Sequence, residues 1–271
     1  MSFYSQIFPH LKVNLSSSVL WVTLDNPEQS NAISLEMVDS LTKVLKYADF
    51  DAKVRVIVLK GEGASFCAGG DVKAMQNKTG MFAGESNELR MRYIHGIQQI
   101  PKCIEELSKP MIAMVHGPAI GAGCDLAMMC DLRVGTAKSK FGETFVKLGL
   151  VPGDGGTFFL QRVIGFSKAM QMSLTGDLIA GEEAYRWGLL NYFVAEADLE
   201  TETQKLAEKV ANNAPVAVQM TKKAMKTAYL NDLHTVLELS AAYQGITQRT
   251  QDHFTALEAM KDKKAPHFQG R

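Results

Sequence analysis

The chain has 271 residues, 46% of them hydrophobic and 21% charged, which is enough apolar material for a sizeable core and unlike a disordered segment. Lys plus Arg (29) balance Asp plus Glu (29), so the formal net charge is zero. That balance argues against a nucleic-acid protein held by bulk charge, while a local basic patch stays possible.

In chain order, LKVNL (11–15) and VLWVTLD (19–25) predict two strands joined by a short Ser-rich turn, ended by Asp25-Asn26-Pro27. A helix is expected from Ser34 as N-cap, because Leu35, Val38, Leu41, Leu45 and Ala48 recur every three or four residues. VRVIVLK (54–60) is a β-branched run of the kind found in buried strands. The loop Gly61 to Gly70 leads into another helix, and residues 80–88 read as irregular and polar. A helix is expected over Asn87 to Leu107 with a kink or break at Pro101. PMIAMVH (110–116) predicts a strand, followed by GPAIGAG and a helix over Cys124 to Met129. DLRVGT (131–136) and LLNYFVA (189–195) predict further strands, so the alternation indicates an α/β layer. After Asp198 the pattern is helical alone, with one stripe through Val216, Met220, Ala224 and Ala228 and another through Leu233, Val236, Leu237, Ser240 and Ala241. Such faces must be buried on the chain's own core or on another subunit.

Cys67, Cys103, Cys124 and Cys130 form no CxxC pair and have no His cluster at zinc-ligand spacing, so no metal site is expected. No basic segment followed by an apolar run opens the chain, and the most apolar stretch, Met111 to Cys130, contains His116, Pro118 and Asp125. A membrane span of about 20 residues tolerates that mixture poorly. The expectation is a cytoplasmic protein with neither membrane nor nucleic acid as partner.

Two segments concentrate glycine where a helix should begin. SFCAGGDVK (65–73) follows the strand at 54–60, and GPAIGAGCDL (117–126) follows the strand at 110–116. Glycines at a strand-to-helix turn let the backbone approach a ligand and present unpaired N–H groups. A plain tight turn is the competing reading of the first segment. In the second, the helix start suits an anion or developing oxyanion, and Ala122 and Asp125 share a helical face. The rival is that Asp125 merely favours a helix N-terminus. Neither segment is a phosphate loop or a dinucleotide fingerprint, and no GxSxG elbow occurs.

Asn26-Pro27 with Asn31-Ala32, SFCAGGDVK, KPMIAMVHGPAIGAGCDLAMMCDLRV (109–134), KLGLVPGDGGT (147–157) and LTGDLIAGEEAYRWGLLN (174–191) resemble the landmarks of the crotonase (enoyl-CoA hydratase/isomerase) superfamily, in that family's order. The ending KAPHFQGR (264–271) matches in style, and the resemblance spans essentially the whole chain. It implies an α/β fold, a crotonase-like spiral of ββα units over residues 1–197 carrying the acyl-CoA site. A helical C-terminal oligomerisation region over 198–271 would complete it, assembling as a homotrimer or a dimer of trimers. It implies an acyl-CoA thioester as substrate and no cofactor beyond the coenzyme A that the substrate carries. The family's oxyanion hole falls on the amides of Gly70 and Ala122; Ala68, Gly70, Asp71, Val72 and Lys73 would line the CoA site, with Ala68 near the adenine. Lys263 and Lys264 are set toward CoA phosphates by the same resemblance, against a solvated basic tail.

Hydration of an enoyl thioester needs a base for water and a proton for C2. The family's first glutamate falls on Asp125 and its second on Phe145, which transfers no proton. Glu143, two residues earlier, is a candidate substitute with a surface glutamate as rival; Asp154 is another, with a turn-forming role as rival. The expected activity is enoyl-CoA hydration, with double-bond isomerisation by Asp125 alone as alternative and a non-catalytic acyl-CoA-binding protein as a further one. Residues 74–100 are expected to shape the acyl pocket.

Overall fold

The computed structural model describes residues 3–271. β1 (Leu11–Ser16) and β2 (Val19–Leu24) form the expected antiparallel hairpin, closed where Ser16 faces Val19. β2 pairs in parallel with β3 (Val56–Gly61), and β3 with β4 (Met111–Val115). β5 (Pro118–Ile120) then leaves for a second sheet, while β6 (Leu132–Gly135) returns beside β4. β7 (Lys140–Gly142) pairs with β5, β8 (Leu178–Ala180) pairs antiparallel with β7, and β9 (Tyr192–Phe193) closes the large sheet beside β6. Sheet orders are therefore β1-β2-β3-β4-β6-β9 and β5-β7-β8.

Side chains alternate across a strand, and here both faces of the large sheet are buried. Leu20, Val22, Ile57, Leu59, Met111 and Ala113 face a core shared with α1 (Leu35–Phe50). α2 (Val72–Asn77), α3 (Ser86–His95), α4 (Gln99–Glu106) and α5 (Ala122–Met129) follow on that side of the chain order. α6 (Gly156–Ile164), α7 (Phe166–Thr175) and α8 (Gly181–Trp187) precede α9 (Leu199–Ala211). Val19, Val56, Val58, Ile112 and Met114 face the other way and pack on Leu199, Leu206 and Ala207 of α9. The helical run expected from residue 198 thus divides: α9 is a layer on the sheet, whereas α10 (Pro215–Ala228) and α11 (Leu233–Thr247) contain no buried residue. α12 (Gln251–Asp262) buries only Asp252, which accepts from the amides of Gln269 and Gly270 at 2.7 Å.

Ser34 caps α1 by accepting from the Met37 amide at 3.1 Å, as expected, although Leu35 lies at the rim of the stripe assigned to it. The predicted 87–107 helix is two helices, and the break falls at Gly96 rather than Pro101. Pro101 sits in the first turn of α4, where an amide has no intrahelical acceptor to lose. Of the strand expected at 189–195, only Tyr192 and Phe193 pair in the sheet; Leu189 and Leu190 are drawn into the core. Among the described residues no helix is long and apolar enough to cross a membrane.

Candidate active site

Two glycine turns meet at the carboxyl end of the large sheet's central strands. The loop after β3 is fixed by Asn31, whose side-chain amide donates to the carbonyls of Glu62, Ser65 and Phe66 at 2.9, 2.8 and 3.3 Å. The same segment accepts from Ala68 through Ser30 and donates from Ile33 to the Gly69 carbonyl. Cys67 then bridges to Ala119 of β5, donating to Pro118 at 3.1 Å and accepting from Ile120 at 3.0 Å. This places Gly69 against the start of α5: with φ +87°, it has room for no side chain, since a Cβ would lie 2.6 Å from the Ile120 carbonyl oxygen and 3.1 Å from the Ala122 nitrogen. Gly123 is required on the other side, because a Cβ there would stand 2.0 Å from the Cys67 carbonyl oxygen.

The turns carrying Gly70 and Ala122 are therefore in contact, and neither amide donates to any group of the described residues. Ala122 is the first residue of α5, so its free N–H also lies at the positive end of that helix. Gly70 faces Met75 and Phe82. Those two side chains, with Val72, Leu89, Tyr93 and Leu150, line a cleft of about 750 Å³, within the range of small-molecule sites. Helices α2 and α3 and the turn between them build most of its wall, in the segment expected to shape the acyl pocket.

Other expected contacts distribute unevenly. Ala68 has its amide committed to Ser30, and Asp71 caps α2 by accepting from Ala74 at 3.0 Å. Val72 lines the cleft, whereas Lys73 is exposed and outside it. Lys263 ends α12 and Lys264 pairs with Asp262 at 3.5 Å; both are exposed and neither lines the cleft.

Three carboxyl groups collect behind the Ala122 turn. Asp125 lies on α5, Glu143 just after β7 and Asp154 just before α6, with exposures of 0%, 1% and 3%. Glu143 is thus no surface residue, and Asp154 is buried in the bend that precedes α6. Asp125 fits only because residue 156 is glycine, where a Cβ would lie 2.2 Å from its Oδ1. As carboxylates, both oxygens of Asp125 and of Glu143 and the Oδ2 of Asp154 find no donor. Burial raises the proton affinity of all three; the charge of Glu143 adds to the rise at Asp125, and that of Asp125 to the rise at Asp154. Phe145, half-buried, puts its ring 3.6 Å from where a Gly121 Cβ would stand, so an apolar face borders the Ala122 turn.

Sequence reasoning overlooked Asn31 as the clamp on the loop; it stood in the Asn-Ala landmark, but its three acceptors lie more than 30 residues away. The chain matches the family described as enoyl-CoA hydratase/isomerase over residues 14–271. It is 34% identical to the crotonyl-CoA hydratase of Syntrophomonas wolfei subsp. wolfei, covering 90% of this chain and 92% of that protein. It is 32% identical to the 1,2-epoxyphenylacetyl-CoA isomerase of Escherichia coli (strain K12), covering 95% and 97%. Among solved structures, the enoyl-CoA hydratase of Bacillus anthracis superposes with a TM-score of 0.90 at 31% identity, covering 97% of this chain and 100% of that one.

Proposed function

The chain belongs to the enoyl-CoA hydratase/isomerase family, and within it we propose that this enzyme adds water across the double bond of a 2-enoyl-CoA thioester. The observation that carries this reading is the pair of unpartnered amides, Gly70 and Ala122, on two turns in contact beside an apolar cleft. Attack of water at C3 moves negative charge onto the thioester oxygen, giving an enolate. Two fixed N–H donors, one at a helix N-terminus, stabilise that charge without reorganising; losing one such donor typically costs about 3–4 kcal/mol. Asp125, one helical turn from Ala122, is the base that takes the proton of the attacking water. CoA arrives as part of the substrate, and no other cofactor enters this scheme. The exposed apolar residues of α10 to α12 support assembly as a trimer or a pair of trimers.

Isomerisation is the second reading, favoured by Phe145 standing where the family's second glutamate falls. A single base, Asp125, would then carry a proton between C2 and C4. Ala122→Pro tests the oxyanion assignment, because proline suits the first position of a helix and deletes the N–H. With crotonyl-CoA, 2-decenoyl-CoA and cinnamoyl-CoA as probes, kcat for the best substrate should fall about 10²–10³-fold. Unchanged kcat in a folded variant would remove the oxyanion role. Turnover of 3-decenoyl-CoA but of none of the three 2-enoyl probes would establish the isomerase.

A further inference from the structure

Deepening the hydration reading, on whose thioester seat at Gly70 it rests, we propose that the substrate is a medium-chain 2-enoyl-CoA, its straight acyl chain of about eight to ten carbons lying along α3.

The cleft opens from the oxyanion turn. Met75 and Phe82 stand 2.5 and 3.3 Å from where a Gly70 Cβ would lie, and both line the cleft. From there one wall is a single face of α3: Ser86, Leu89 and Tyr93 stand three and four residues apart, which stacks them along one side of the helix. Ser86 to Tyr93 is seven steps of about 1.5 Å, so this wall is about 10 Å long. An extended carbon chain advances about 1.3 Å per bond, as three backbone bonds do in 3.8 Å. A four-carbon acyl group therefore reaches about 4 Å from its thioester carbon, and a ten-carbon one about 12 Å. Only the longer chain spans the wall.

The chemistry of the lining points the same way. Val72, Leu148 and Leu150 line the cleft yet are 55%, 54% and 38% exposed, so an apolar chain laid on them would remove them from water. Apart from the half-buried Tyr93, the polar lining residues Gln76, Lys78, Glu85 and Ser86 are all exposed. The walls thus select for length and apolar surface rather than for a polar tail. Volume sets the lower bound. A methylene needs about as much room as a water molecule, about 30 Å³, so a four-carbon group fills about one-sixth of the 750 Å³ and leaves the walls wet. Ten carbons fill about 300 Å³, and the thiol arm of CoA shares the remainder. The start of α3 sets the upper bound: Gly84 and Ser86 are small and exposed there, so a longer tail runs out into water.

Calorimetric titration with saturated butanoyl-, hexanoyl-, octanoyl-, decanoyl- and dodecanoyl-CoA reads chain length without any reaction. A fully buried methylene is worth about fourfold in affinity, so decanoyl-CoA should bind about 10²-fold or more tighter than butanoyl-CoA, with no further gain at dodecanoyl-CoA. The kcat/KM values of the matching 2-enoyl thioesters should climb in the same order. Leu89→Trp, which fills the cleft midway along α3, should cut the decanoyl-to-butanoyl affinity ratio about tenfold or more. Should that variant fail to fold by circular dichroism, Ser86→Trp at the exposed end is read in the same way. A flat or falling series overturns the proposal, as does tighter binding of 3-phenylpropanoyl-CoA than of decanoyl-CoA, or an unmoved ratio in a folded variant. A rising series without turnover of any 2-enoyl-CoA supports the chain length and refutes hydration instead; crotonyl-CoA hydration with a flat series does the reverse.

Discussion

Water is the ordinary partner of a carboxylate, and Asp125, Glu143 and Asp154 have almost none. Their proton affinities rise for that reason first and through one another's charge second. Replacing Glu143 by Leu removes the acidic neighbour that adds to the rise at Asp125, so the Asp125 pKa falls while burial still holds it above the ordinary carboxylate range. The ascending limb of the pH–kcat/KM profile should move down by roughly one pH unit; a limb that stays or moves up would contradict the coupling between the two groups. Stability carries a second signature. The Asp154 carboxyl has an ordinary value of 3.8 and a higher one in the folded chain. The folded state therefore holds the extra proton above about pH 4; its contribution is complete below that pH and is lost as pH climbs through the raised value. Asp154→Asn does not titrate, so its urea midpoint relative to the wild type should increase between pH 5 and pH 9. That Asp125 stands one helical turn from Ala122 was legible from their spacing, and both lie on α5. That Glu143 and Asp154 join it was not, because nothing local to either residue records the loss of solvent.

Caps, hairpins and glycine turns are written within a few residues, and these elements emerged where expected: the β1–β2 hairpin, Ser34 at the start of α1, Asp71 at the start of α2. The α3–α4 break and the three-residue strands β5, β7 and β8 are different. Strands that short show no periodicity, and they exist because they pair with one another and with the loop at Cys67. Asn31 is the element-scale fastener. Asn31→Ala leaves three carbonyls without their donor and should destabilise the chain by about 2–3 kcal/mol, read by urea denaturation, with kcat reduced because the Gly70 turn loosens. A variant of wild-type stability would show that the clamp is dispensable.

At the scale of the molecule, α10 to α12 present apolar side chains to solvent while being tied to the core by polar contacts. Lys222 pairs with Asp131 at 2.7 Å, Lys226 pairs with Glu105 at 3.0 Å, and Arg55 donates to the carbonyl of Phe268, beyond α12, at 2.5 Å. Leu233 and Met260 are 73% and 76% exposed, with Met225, Leu237 and Leu257 also on the surface. A stripe of this kind normally marks a contact surface. Light scattering on the purified chain should give the mass of three or six copies, and Leu237→Glu should shift it toward one. A monomeric wild type would sink that expectation.

By itself the sequence determined the family, the α/β order of elements, the two glycine turns and the acid next to the second of them. Each is carried by a short run of residues whose backbone preferences and spacing suffice. Only the tertiary structure decided that the turns touch, that a cleft opens beside Gly70, and that three distant carboxyls share one dry pocket. Those facts depend on which segments exclude water from which others, and that exclusion arises when the two sheets and α5 pack together.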